Sequence, residues 1–141
     1  MARYDLPDEA WIFIQPLLPA EPATPRAGHP WAEHRMIING MFWVLCSGAP
    51  WRDLPERYGP WKTVYNRFNR WSKSGVINII FNRLLTLLDR DAYRNRNVVE
   101  RCFGRLKEYR RIATRYDKTA RNYLAMVKLV CIRLFYKRLC N

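Results

Sequence analysis

The sequence has few of the residues that build metal centres. Its 141 residues include two histidines and four cysteines, and no two cysteines stand in C-x-x-C spacing. A structural zinc site needs four ligands at short paired spacings, so none is predicted. Cys46, Cys102 and Cys131 lie within apolar stripes, which predicts that they are buried, reduced thiols.

Long hydrophobic runs are also missing. The longest apolar stretches, such as residues 41–46, are far too short to cross a bilayer, and Lys128 and Arg133 interrupt the apolar C-terminal segment. The N-terminus has no basic segment followed by an apolar one, as a signal peptide would. These features predict a cytoplasmic protein that has no membrane partner.

Negative charge is scarce as well. The chain has 25 Lys and Arg against 12 Asp and Glu, for a net charge of +13. Most of the excess lies in residues 76–141, where 16 basic residues face 5 acidic ones. Such a surface attracts polyanions, nucleic acid first. Arginine outnumbers lysine in this half, which favours forked contacts to phosphate.

No segment shows sustained alternation of apolar and polar residues, so no β-sheet is predicted. Apolar positions instead recur at helical spacing between proline and glycine signals. The pattern predicts an all-α protein of about six helices. Their expected ranges are 5–18, 31–47, 60–73, 74–88, 91–108 and 119–139, with a further short helix at 51–54.

The region around residues 51–73 is typical of a helix-turn-helix. A short helix and the turn at Gly59 precede an amphipathic helix whose polar face is rich in Asn, Arg and Lys. A plain αα-hairpin with a solvated polar face has the same pattern. The absence of acidic residues between Glu56 and Asp89 favours DNA. The predicted DNA-binding residues of this helix are Lys62, Asn66, Arg67, Asn69, Arg70 and Lys73.

A second group of polar residues shares one helix face further along the chain. Tyr93, Arg96, Glu100 and Lys107 fall within roughly 60° of one another at helical geometry. One carboxylate beside a phenol and two cations suits a metal ion held next to a phosphate. A solvated basic helix with ordinary i,i+4 charge pairs has the same spacing. A basic loop follows and adds further candidate DNA contacts: Arg110, Arg111, Arg115 and Lys118.

The spacing Y-x2-R-x3-E-x6-K resembles the signature of bacterial insertion-sequence transposases of the DDE class. Residues 5–85 are similar to the N-terminal DNA-binding region of that family, above all in the sequence from Gly40 to Phe68. Residues 89–135 are similar to its C-terminal region. The resemblance implies a protein of DNA transposition and recombination that binds the terminal inverted repeats of a mobile genetic element as duplex DNA. It also implies that the chain has two regions, 1–85 and 86–141. The protein would associate with a second copy of itself or with a full-length transposase.

Between these two regions the family has a ribonuclease-H-like sheet that supplies two catalytic aspartates. Here the regions meet at residues 85–89, so the chain resembles an internally deleted transposase. The resemblance implies that Glu100 is a remnant catalytic carboxylate, accompanied by Tyr93, Arg96 and Lys107. Two-metal phosphoryl transfer needs several carboxylates on rigid elements. Glu100 would therefore bind metal only if partner carboxylates were supplied. Mg²⁺ is expected in the intact family, and no cofactor is expected for this chain alone.

The expected function is that of a transposase-family DNA-binding protein, nucleoid-associated, that occupies the element's ends without independent catalysis. One alternative is an active transposase that assembles its metal site in trans or with other carboxylates. Another is a non-specific basic helical protein that binds RNA or DNA. A third is a decayed reading frame without a selected role.

Overall fold

The computed structural model describes residues 3–21, 32–89, 105, 109 and 119–139. These ranges hold five α-helices, and none of their residues forms a strand. The all-α prediction is confirmed, with five described helices where about six were expected. Apart from Arg105, the predicted helix 91–108 lies outside the described residues. The helices are α1 (Asp8–Ile14), α2 (His34–Ser47), α3 (Trp61–Ser74), α4 (Val76–Asp89) and α5 (Ala120–Leu139).

Prolines and glycines set the helix boundaries. Helix α1 ends at Ile14 and continues as the 3₁₀ helix Gln15–Leu17, because Pro16 has no N–H to extend an α-helix. Gly48 (φ 71°) and Gly75 (φ 87°) end α2 and α3 in the left-handed conformation that glycine tolerates. The short helix predicted at 51–54 is a 3₁₀ helix, Trp51–Asp53, and a second one, Glu56–Tyr58, occupies the predicted turn.

Helix α5 packs mainly along α4 and also contacts α3 and α2. Leu84 of α4 and Met126 and Phe135 of α5 are almost fully buried in the same core as the side chains of α2 and α3. The buried apolar side chains of α5 are thus covered by α2, α3 and α4, which precede it in the chain.

Helices α2 and α3 approach each other closely at Gly40. A Cβ atom at this position would lie 3.2 Å from Val64 Cγ1 and 3.5 Å from Tyr58 Cβ. The missing side chain therefore lets the backbone of α2 rest against α3 and the 3₁₀ turn before it. This contact fixes the orientation of α3 on the core.

None of the helices within the described ranges is long and apolar enough to cross a membrane.

Candidate nucleic-acid interface

Helix α3 presents one face to the core and the opposite face to solvent. Val64, Phe68 and Trp71 are buried, as the apolar spacing predicted. The outward row consists of four exposed polar residues: Lys62, Asn66, Arg70 and Lys73. At about 100° per residue these four positions span an arc of about 80°. They therefore form a single stripe along the helix.

Three of the four residues in this stripe are cations. Helix α3 contains no acidic residue. Within the described part of the chain, Arg35 and Asp8 form an ion pair, and His34 lies 4.0 Å from Glu21 and pairs with it only when protonated. Neither contact involves the stripe. The ammonium of Lys62 lies 5.9 Å from the Trp61 ring, a cation–π contact that keeps it at the surface. Such a row can bind phosphates, while Asn and Arg side chains can read base edges.

Arg67, predicted to contact DNA, lies in the interior. Its residue is 6% exposed, and its Nη1 donates a hydrogen bond of 2.6 Å to the Ala32 carbonyl. Burial lowers the pKa of Arg67, the neighbouring Arg70 lowers it further, and Glu21 raises it. The side chain thus fixes the start of α2 to α3, and it does not belong to the outward row.

His34 completes this interior polar cluster. Its Nε2 lies 2.9 Å from the Pro19 carbonyl, which can only accept, so this nitrogen carries the proton. Nδ1 then accepts from Arg67 Nη1 at 3.3 Å. Burial lowers the pKa of His34, and Arg67 also lowers it, while Pro19 and Glu21 raise it. His34 is therefore a neutral structural residue near neutral pH.

Asn69 lies at the junction between α3 and α5. Its Oδ1 accepts a hydrogen bond of 2.8 Å from Asn122 Nδ2, and Asn122 Oδ1 accepts one of 3.1 Å from Ser72. Asn69 is half-buried, so its main contact is between helices. Arg121 is not among the predicted DNA-binding residues, but its Nε donates to Ser72 Oγ at 3.1 Å, which places an exposed cation beside the end of α3. No spacing within either helix could have indicated this pairing.

The remaining predicted site residues lie outside the described residues. They are Tyr93, Arg96, Glu100, Lys107, Arg110, Arg111, Arg115 and Lys118. Among the described residues, no three His, Cys, Asp or Glu side chains are grouped so that they could hold a metal ion. The described part of the chain therefore provides no ligand set for a divalent metal.

Two family models match the chain. The first, described as "Putative transposase of IS4/5 family (DUF4096)", matches residues 6–81. The second, a "Transposase DDE domain", matches residues 86–137. The two matches are separated by residues 82–85 alone, which agrees with the resemblance to an internally deleted transposase.

Two curated relatives are similar over part of their length. An uncharacterized protein of Sinorhizobium fredii, y4sN, is 33% identical over 87 residues, which are 62% of this chain and 65% of that protein. An "Insertion element IS402 uncharacterized 16.2 kDa protein" of Burkholderia cepacia is 35% identical over 94 residues, which are 62% of this chain and 63% of that protein. The chain thus spans less than two thirds of either relative.

No solved structure matches the chain. The first family model covers more than half of its residues, from the start of the N-terminal segment into α4. The chain therefore belongs to the IS4/5 family of transposases.

Proposed function

We propose that this protein binds duplex DNA through the outward stripe of α3, as the DNA-binding component of an insertion sequence. The observation that carries the proposal is the exposed row Lys62, Asn66, Arg70 and Lys73, which has no carboxylate partner among the described residues. A compact basic stripe on a rigid helix attracts the phosphate backbone and places amide and guanidinium groups where they can meet bases.

The elements around α3 support a helix-turn-helix arrangement. The two 3₁₀ helices and Gly59 lead into α3, and the Tyr58 side chain is buried against the close contact at Gly40. Helix α3 has 14 residues and is therefore about 20 Å long, which is enough to lie across a major groove about 12 Å wide. Its buried face holds it rigidly while the opposite face stays open.

We further propose that the protein occupies the element's ends without cutting them. The segments similar to the two transposase models are only four residues apart, at 82–85. In the family that the chain resembles, the sheet between these segments carries two of the three catalytic carboxylates. A protein that keeps the DNA-binding part would compete with a full-length transposase for the same inverted repeats.

The direct test is selection of preferred sites from a random duplex pool, followed by titration of the selected site. We expect Arg70→Gln to relax the preference at one base position by about 1–3 kcal/mol, because one guanidinium then no longer meets its base. Binding of the unmodified protein should weaken steeply as salt rises, since each neutralised phosphate releases counterions.

Arg83→Gln is the matched control, because Arg83 is an exposed arginine of α4 that lies outside the stripe. It removes the same charge and should leave the base preference unchanged. Equal loss for Arg70→Gln and Arg83→Gln on selected and random DNA would contradict base reading by α3. Binding that does not depend on salt would contradict the electrostatic part of the proposal.

A further inference from the structure

A second group of cations surrounds a cavity away from the α3 stripe. The cavity has a volume of about 430 Å³ and opens between the N-terminal segment, the end of α2 and the second half of α5. The described residues that line the cavity are Arg3, Tyr4, Cys46, Arg105, Tyr109, Arg133, Leu134 and Lys137. None of these residues is acidic.

Arg133 forms the fixed part of the cavity wall. It is 6% exposed, and its Nη1 donates hydrogen bonds to the Tyr4 carbonyl at 3.0 Å and to Tyr136 Oη at 3.2 Å. Its guanidinium also lies 5.3 Å from the centre of the Phe42 ring. Arg133 is therefore held by the fold. Arg3, Arg105 and Lys137 are exposed, so their charged ends can move to meet a ligand.

The cations of this cavity repel one another in the absence of an anion. Desolvation at the cavity wall lowers the pKa of Lys137, and Arg133 and Arg105 lower it further, whereas Cys46 raises it. Like charges held together in a partly desolvated site are unfavourable unless a counter-ion offsets them. A bound anion would make the same arrangement favourable.

From this geometry we infer that the cavity between the N-terminal segment and α5 binds a phosphate group. Guanidinium forks match phosphate oxygens, and the volume falls within the range of about 300–1,000 Å³ that is typical of small-ligand pockets. The site is distinct from the α3 stripe. Arg133 follows Asn122, which contacts α3, by eleven residues, a distance of about 16 Å along the helix. The phosphate belongs either to a small phosphorylated molecule or to a nucleic-acid backbone.

Cys46 provides a reporter within the cavity. It is a free, half-buried thiol that lines the wall. Burial raises its pKa, while Arg133, Lys137 and Arg3 lower it. A bound phosphate would both cover the thiol and screen these cations, so alkylation of Cys46 should slow down. The experiment measures iodoacetamide labelling of Cys46 by peptide mass spectrometry, at constant ionic strength, with pyrophosphate or duplex DNA as the probe.

We expect saturable protection of Cys46 by at least several-fold. The double variant Arg3→Gln/Lys137→Gln should raise the half-protecting concentration at least tenfold. Lys128→Gln, which removes an α5 cation outside the cavity, should leave that concentration unchanged. Circular dichroism of each variant shows whether it is folded.

The probes distinguish the two sources of phosphate. Protection by pyrophosphate supports a small phosphorylated ligand. Protection by DNA alone, retained in Arg70→Gln, supports a backbone phosphate. The inference is overturned if neither probe protects Cys46, or if the double variant and Lys128→Gln respond alike. The labelling of Cys46 reports on the cavity alone. A negative labelling result therefore does not contradict base reading by α3, and a loss of base reading by α3 does not contradict phosphate binding in the cavity.

Discussion

Arginine has two different roles in the described part of this chain. Arg67 and Arg133 are buried and donate hydrogen bonds to the carbonyls of Ala32 and Tyr4, respectively, so they join distant parts of the chain. Arg70 lies one turn from Arg67 on the same helix and is exposed. Neither the composition of the helix nor its residue spacing shows which of two such neighbouring arginines is buried. Only the position of the neighbouring chain decides which guanidinium has a carbonyl within reach.

The buried His34 predicts that stability depends on pH. Burial keeps the folded-state pKa of His34 below its ordinary value of 6.5. As the pH falls below that value, the unfolded chain binds a proton that the folded chain does not, so the free energy of unfolding decreases until the folded pKa is reached. Well above the ordinary pKa of 6.5, His34 contributes no pH dependence to the free energy of unfolding. Urea unfolding of the protein, followed by tryptophan fluorescence from pH ~7.5 to ~5, measures this loss.

His34→Gln provides the control, because glutamine can donate to the Pro19 carbonyl and accept from Arg67 but does not titrate. The variant should lack this part of the pH dependence. If the two proteins lose stability in parallel over the same pH range, protonation of His34 is not the cause.

The helices show how far apolar spacing predicts burial. On α3 the prediction holds, because one side of the helix meets the core and the other meets solvent. On α5 it holds only in part. Leu124 shares helical spacing with the apolar residues Val127 and Cys131, yet it is 52% exposed, whereas Asn122 is buried. Helix α5 lies against α4, α3 and α2, so its buried positions depend on three neighbours and not on one face.

The contact between α3 and α5 can be tested at Asn122. Asn122→Ala removes both side-chain hydrogen bonds and leaves Asn69 and Ser72 without these partners. We expect the free energy of unfolding to fall by about 1–3 kcal/mol, measured by urea denaturation. Asn66→Ala, on the exposed face of α3, should change the free energy of unfolding by less than about 0.5 kcal/mol. Equal effects of the two substitutions would show that the Asn122 contacts do not stabilise the helix pair.

At the scale of the whole molecule, α5 shares one core with the N-terminal helices. The matched transposase segments, 6–81 and 86–137, meet at the end of α4. Over the described residues, the two matched segments pack against each other. This packing covers the buried apolar residues of α5 with side chains of other helices.

The whole chain should neither nick nor join DNA with Mg²⁺ or Mn²⁺. The reason is a ligand count: Glu100 alone can hold at most part of one metal ion, and two-metal phosphoryl transfer needs several fixed carboxylates. Supercoiled plasmid carrying the element's ends provides the assay. Glu100→Ala should bind DNA as tightly as the unmodified protein or slightly more tightly, because it removes a negative charge. Metal-dependent cleavage that disappears in Glu100→Ala would support the active enzyme instead.

The sequence by itself determined the helical class, the C-terminal ends of α2 and α3, and four exposed polar positions on α3. These features depend on local rules, since proline and glycine restrict the backbone and apolar spacing marks a face that must be buried. The tertiary structure decided that Arg67 lies inside, that Asn69 pairs with Asn122, and that cations from the N-terminal segment and α5 enclose a cavity. Each of these results depends on which distant residue lies within a few ångströms, and that distance is set only when the helices pack.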